Sequence, residues 1–85
     1  MVYKIIFARS VKKDISNIPV SDLLRIKTNI DYLTDFPNVS NFKRLSSHSL
    51  SDYRLRVGSY RILFDVDYLN NEIHIIKIGH RKDVY

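Results

Sequence analysis

One stretch in the second half of the chain constrains the fold most strongly: residues 53–61, YRLRVGSYR. Apolar and basic residues alternate with period two on both sides of Gly58, which is typical of two β-strands. A glycine at the first central position suits a type II′ turn, so Gly58-Ser59 is the predicted hairpin loop. The resulting register pairs Val57 with Tyr60, Arg56 with Arg61 and Leu55 with Ile62.

This register places Arg54, Arg56 and Arg61 on one face of the hairpin. Like charges directly opposite each other on a sheet are destabilising. Because Arg56 lies opposite Arg61 despite this cost, we expect the two arginines to bind an anionic partner. A solvated sheet face with scattered basic residues would give the same pattern, because antiparallel sheets commonly leave one face in water.

A third strand is predicted over residues 73–80, after a turn centred on residues 70 and 71. This spacing pairs Arg61 with His80. A row of Arg56, Arg61 and His80 would then cross three adjacent strands. A slip of one residue would move these side chains to the opposite face.

The first half of the chain predicts a strand and two helices. Residues 3–8 are apolar on both faces, which fits a strand covered on at least one side. Ser10 is a predicted N-cap for a short helix that Pro19 ends. A second helix is predicted over residues 21–35, and Pro37 stops its pattern.

The stretch 38–52 is rich in Ser and Asn and is expected to be a loop with one helical turn around residues 42–45. The predicted fold class is therefore α+β, with the order β-α-α-β-β-β and one domain over residues 1–85. We expect an antiparallel sheet with both helices packed on one of its faces. That face carries the side chains of Leu55, Val57, Ile62, Phe64 and Val66.

Composition excludes several chemistries. There is no Cys, which excludes disulfides and thiolate metal sites, and the only glycines are Gly58 and Gly79, so no Gly-rich phosphate loop exists. With three His, a metal site is not expected, and Asp67 opposite His74 is interpreted as an ordinary cross-strand pair. No cofactor is expected. A net charge of +5 favours a polyanion as partner.

Basic residues concentrate in two places, which together form the predicted functional surface. Between residues 43 and 61 these are Lys43, Arg44, Arg54, Arg56 and Arg61. At the C-terminus His80, Arg81, Lys82 and Tyr85 follow one another within six positions. Arginines with one His and one Tyr can bind a phosphodiester, stabilise developing negative charge and move protons without a metal.

The element order, together with residues 53–64 (YRLRVGSYRILF) and the ending 78–85 (IGHRKDVY), resembles the RelE/ParE superfamily of toxins from bacterial and archaeal toxin-antitoxin systems. The resemblance covers essentially the whole chain. On the RelE side it implies a ribosome-dependent endoribonuclease that cuts mRNA in the A site. On the ParE side it implies a gyrase poison on a similar fold. The positions that match the RelE motif hold Arg54, Arg56, Arg61, Arg81 and Tyr85.

The resemblance implies attack of the RNA 2′-hydroxyl on the adjacent phosphate, with Arg61 and Arg81 at that phosphate and Tyr85 or His80 transferring the proton. Flanking RNA would be held by Arg54, Arg56, Lys43, Arg44 and Lys82. The resemblance also implies a cognate antitoxin that forms a hetero-oligomer with this protein, and mRNA on the ribosome as the substrate. The N-terminus is too short for a signal or membrane segment, so the expected location is cytoplasmic. A gyrase inhibitor and a basic binding module remain alternatives.

Overall fold

The computed structural model describes residues 2–46 and 50–84. The strands are β1 (Lys4–Phe7), β2 (Phe42–Arg44), β3 (Tyr53–Val57), β4 (Tyr60–Asp67) and β5 (Glu72–His80). The helices are α1 (Arg9–Ile15) and α2 (Val20–Asp31), and a 3-10 turn, Tyr32–Asp35, follows α2. The five strands form one sheet in the order β1-β5-β4-β3-β2.

The helices and the sheet pack face to face, which confirms the α+β class. The core joins residues of α1, α2 and the 3-10 turn to one face of the sheet, namely Val11, Ile26, Ile30, Leu33, Leu55, Val57, Ile62, Phe64, Ile73, Ile75 and Ile78. Val66 packs against its edge. The predicted core face of the sheet is therefore confirmed. Burying each large apolar side chain contributes about 1.5–3 kcal/mol, so these residues dominate the stability.

The sheet is mixed, whereas the sequence predicted an antiparallel one. β1 runs parallel to β5, and every other neighbouring pair is antiparallel. The prediction failed here because β1 is apolar on both faces, a pattern that carries no information about direction. Its partner also lies almost 70 positions away along the chain, where no hairpin turn sets the pairing.

The predicted helical turn at residues 42–45 is wrong, because Phe42–Arg44 forms the edge strand β2. Phe42 pairs with Leu55 and Lys43 with Arg54. The Phe42 ring also lies 5.0 Å from the Phe36 ring, centroid to centroid, so aromatic packing adds to the strand pairing. Three residues are too few to show a periodic pattern in the sequence.

The two predicted helices are present, with different ends. Ser10 is not the N-cap: α1 already begins at Arg9, and Ala8 precedes it without a side-chain cap. Pro19 stands at the N-cap of α2. The last predicted turn of the second helix is the 3-10 turn. No helix within residues 2–46 and 50–84 is long and apolar enough to cross a membrane.

The β3–β4 hairpin has the predicted register. Val57 pairs with Tyr60, Arg56 with Arg61 and Leu55 with Ile62. Gly58 has a φ of 57°, the left-handed conformation that the first position of a type II′ turn requires. The two strands predicted on either side of Gly58-Ser59 and the third strand predicted over residues 73–80 are also present.

The register between β4 and β5 is not the predicted one: Gly79 faces Arg61, and His80 faces Tyr60. Two deviations cause this. The loop between β4 and β5 holds four residues, because Asp67 pairs with Glu72. Relative to the predicted pairing, this shifts β5 by two positions, which leaves its side chains on the predicted faces. Opposite Leu63 and Phe64, a bulge then adds one extra residue to β5. Because side chains alternate along a strand, this single residue moves the side chains at the end of β5 to the opposite face of the sheet.

Replacing Gly58 with Ala should lower the free energy of unfolding by about 1 kcal/mol, because a Cβ is unfavourable in the left-handed region. That Cβ would also lie 2.7 Å from Arg25 Nη2, so the Arg25 side chain would have to move. Urea unfolding of Gly58→Ala, with Ser59→Ala as the matched control in the same turn, measures the effect. Equal stability of the two variants would contradict the turn geometry.

Candidate functional site

Basic side chains cluster on the face of the sheet that is turned away from the helices. Lys43 pairs with Arg54 and Arg56 with Arg61, and alternation along each strand puts all four opposite the core. Lys77 joins them from β5, because the bulge places it opposite Leu63. The predicted common face of the three hairpin arginines is confirmed. We call Lys43, Arg54, Arg56, Arg61 and Lys77 the basic face.

The three arginines of the basic face differ in their surroundings. Arg61 Nη1 donates hydrogen bonds to the carbonyl oxygens of Gly58, at 2.8 Å, and Tyr60, at 2.9 Å, so its guanidinium lies against the hairpin loop. Arg54 is half-buried, and its Nε atom is shielded from solvent. Arg56 is exposed. Of the three arginines on the basic face, one is therefore exposed and two are half-buried.

The same surface becomes acidic towards the β4–β5 loop. His74 lies opposite Asp65 and not opposite Asp67, so the predicted Asp67–His74 pair is wrong. His74 Nε2 lies 3.0 Å from Glu72 Oε1. Hydrogen bonds from the Asn70 side chain and backbone lower the pKa of Asp67, which keeps this end of the sheet negative. An anion is therefore attracted to the Gly58 end of the surface.

Asp67, Glu72 and His74 are also the residues whose ligand atoms lie close enough together, within 4.8 Å, to hold a metal ion in the part of the chain that the structure describes. They lie at the far end of β4 from Arg61. Six residues of strand separate Asp67 from Arg61, or about 20 Å. This group is therefore distant from the basic face.

A polar cluster on the helix side ties the hairpin to α2. Tyr60 Oη donates a hydrogen bond to Asp22 Oδ2 at 3.1 Å, and Asp22 Oδ1 lies 3.5 Å from Arg25 Nη2. Burial, and then the bond to Asp22, raise the pKa of Tyr60. This cluster was not predicted from the sequence, since Asp22 and Tyr60 are 38 positions apart and no local pattern links them.

His80 belongs to this helix side and not to the row of Arg56 and Arg61. Its ring meets the Tyr60 ring edge-on, with 5.9 Å between centroids. Its Nδ1 accepts a hydrogen bond from the backbone N–H of Lys82 at 3.2 Å. The predicted row of three is wrong because the bulge exchanged the faces of the end of β5.

The other predicted site residues lie in several places. Arg44 pairs with Tyr53 on the helix side of the edge strand β2, away from the basic face. Arg81 and Lys82 are exposed in the turn after β5, where the Arg81 N–H donates to the Ser59 carbonyl at 2.8 Å. Tyr85 lies outside the described residues. Lys77 was not predicted as a site residue, since its face depends on the bulge.

The comparisons with known proteins agree with this architecture. A family described as the ParE toxin of the type II toxin-antitoxin system, parDE, matches residues 5–85. Toxin RelE3 of Methanocaldococcus jannaschii is 29% identical over 86 residues, which cover 96% of this chain and 94% of that protein.

Solved structures of relatives have the same fold. The archaeal RelE–RelB complex from Pyrococcus horikoshii contains a chain that superposes with a TM-score of 0.77 at 25% identity, over 98% of this chain and 99% of that one. The RelB–RelE antitoxin-toxin complex from Methanococcus jannaschii gives 0.74 at 28% identity, over 94% of each chain. With a family match that spans almost its whole length, the chain belongs to the ParE toxin family, within the RelE/ParE superfamily of type II toxin-antitoxin toxins.

Proposed function

We propose that this toxin is an endoribonuclease that cuts mRNA in the ribosomal A site. The observation that carries the proposal is the pair Arg56 and Arg61, directly opposite each other on the basic face, beside the pair Lys43 and Arg54. Such a concentration of positive charge is relieved by a bound phosphate backbone. Similarity to a RelE toxin, and to toxins solved in RelE–RelB complexes, adds support. Action on ribosomes would take place in the cytoplasm.

The proposed reaction needs no metal. The RNA 2′-oxygen attacks the adjacent phosphorus, the bond to the 5′-oxygen breaks, and the products are a 2′,3′-cyclic phosphate and a 5′-hydroxyl. Arg61, with Arg81, binds the scissile phosphate and stabilises the extra negative charge of the transition state. The flanking RNA is bound by Lys43, Arg54 and Arg56 of the basic face, together with Lys82. Arg44 lies on the helix side of β2 and has no part in this contact.

One proton must leave the 2′-hydroxyl and another must reach the 5′-oxygen, and Tyr85 and His80 are the candidates. His80 packs against Tyr60 on the helix side, which favours Tyr85 as the group near the phosphate. A tyrosine has an ordinary pKa near 10, and nearby cations would lower it. We therefore propose Tyr85 as the principal proton-transfer group.

The proposal includes a cognate antitoxin, and a groove between α1 and α2 fits such a partner. The groove has a volume of about 650 Å³ and an apolar floor that includes Val11, Ile26 and Ile78. Arg9, Lys12 and Lys27 line it as well. An amphipathic segment with acidic residues beside its apolar face complements this surface. Binding there would make a toxin-antitoxin hetero-oligomer.

A second function has a specific observation in its favour, since the matching family model is that of ParE toxins. A ParE-like protein would poison gyrase and cut no RNA. Induction of the toxin in cells separates the two, with primer extension on translated mRNA to detect cuts and recovery of gyrase–DNA complexes to detect poisoning. Trapped gyrase–DNA complexes together with intact mRNA would refute the nuclease proposal.

Replacing Arg61 with Ala should reduce mRNA cleavage on ribosomes by about 10²- to 10³-fold, the usual cost of removing one donor to a developing anion. The fold should survive, because the lost hydrogen bonds contribute about 1 kcal/mol each. Lys13→Ala is the control, since Lys13 is an exposed residue of α1 that lies outside the basic face and the groove. Full cleavage by a folded Arg61→Ala protein would refute the assignment.

Replacing Tyr85 with Phe should lower the cleavage rate by about 10²- to 10⁴-fold, the typical contribution of a general acid or base. The ring is kept, so only the hydroxyl is tested. His80→Gln should have a smaller effect. The single-turnover rate at saturating toxin is the measurement. The reverse order of effects would make His80 the proton-transfer group.

Reversing the charge of the groove, with Arg9→Glu and Lys12→Glu together, should weaken antitoxin binding by at least about tenfold at low salt, because an acidic partner is repelled. Lys13→Glu changes a neighbouring charge outside the groove and should leave binding nearly unchanged. Titration of the purified toxin with the antitoxin measures both. Equal affinities would place the antitoxin on another surface.

A further inference from the structure

We propose that Val84 is a positioning residue for the reaction. Its side chain docks against Gly79 and holds the segment that follows β5 on the basic face, next to Arg61. The proposal rests on the nuclease function proposed above. It assigns Val84 a part in setting where Arg81 lies.

The backbone after β5 turns back sharply. The His80 carbonyl accepts hydrogen bonds from the N–H groups of Asp83, at 2.8 Å, and Val84, at 3.1 Å. The Arg81 N–H reaches across to the Ser59 carbonyl, at 2.8 Å. These bonds connect the turn to the end of β5 and to the loop between β3 and β4, next to Arg61.

Gly79 shows which surface the turn covers. It pairs with Arg61, so its missing side chain would point to the basic face. A Cβ built there would lie 2.8 Å from Val84 Cγ2, closer than real contacts allow. The φ of Gly79 is not in the left-handed region, so the glycine is needed here for the close approach of Val84 and not for the backbone conformation.

Burial separates Val84 from its neighbours in the turn. Arg81, Lys82 and Asp83 are exposed, whereas Val84 is only 5% exposed, near a chain end where fraying is the usual behaviour. Leu63, on the same face, is 2% exposed. Neither residue belongs to the main core on the helix side. Val84 therefore acts as an apolar anchor for a basic segment.

The anchor matters because the rate of this reaction depends mainly on how the RNA and the protein groups at the scissile phosphate are positioned. A displacement of about 1 Å can cost about 10²-fold in rate even when no reacting group is removed. Val84 lies three residues after Arg81 in the same turn, so its release would allow Arg81 to move. The RNA contacts of Lys43, Arg54 and Arg56 would remain, because they are carried by the sheet. Of the residues proposed to bind the flanking RNA, only Lys82 lies in the turn, so loss of the anchor should lower kcat by a much larger factor than it raises KM.

A size exchange tests the contact. Val84→Ala removes the docked methyl groups, and Gly79→Ala fills their space, so each should lower kcat for mRNA cleavage by at least about tenfold. The double variant Gly79→Ala/Val84→Ala restores a complementary pair and should recover to within about threefold of the wild type. Asp83→Ala is the control, since its side chain is exposed. Amide exchange at residues 83 and 84 should be faster in the single variants and slower again in the double variant.

Full kcat in both single variants would overturn the positioning role, as would a double variant no better than the worse single one. An equal rise in KM would also overturn it, because the anchor would then serve RNA binding. These outcomes are distinct from failure of the nuclease proposal. That proposal fails if the wild type cuts no mRNA or if Arg61→Ala cuts it normally.

Discussion

The site depends on a conflict within the β3–β4 hairpin. Leu55 and Ile62 pair on the core side and are almost completely buried, and this register forces Arg56 opposite Arg61 on the other side. Burying two large aliphatic side chains contributes several kcal/mol, whereas an unfavourable exposed pair on a sheet costs about 0.2–1 kcal/mol. The core therefore fixes the register and leaves Arg56 opposite Arg61 on the other face of the sheet, where we propose that the two side chains bind an anion.

The bulge in β5 determines which side chains of that strand lie beside the β3–β4 hairpin on each face of the sheet. By exchanging the faces at the end of β5, it places Ile78 in the core and Lys77 on the basic face. It also puts Gly79 next to Arg61, where the absence of a side chain leaves room for Val84. His80 is turned to the helix side as a result. One inserted residue thus decides which residues of β5 lie on the same face as Arg61.

The sequence was sufficient where apolar side chains alternate over several residues beside a strong turn signal. This holds for β3, β4 and β5 and for the common face of Arg54, Arg56 and Arg61. It was insufficient for β2, which has three residues, and for the direction of β1, which has no hairpin to set it. The bulge was also not predicted. The apolar residues Ile73, Ile75 and Ile78 are compatible with two registers, one with the extra residue and one without it. The cluster of Asp22 and Tyr60 depends on tertiary contact alone.

If Arg56 and Arg61 face each other in order to bind RNA, their repulsion should cost stability when RNA is absent. This can be measured as the free energy of unfolding of the wild type and of Arg56→Gln, with and without a single-stranded RNA oligonucleotide at low salt. We expect the variant to be more stable than the wild type without RNA, by about 0.2–1 kcal/mol, and to gain less stability when RNA is added. Equal stabilisation of both proteins by RNA, with no difference in its absence, would contradict it.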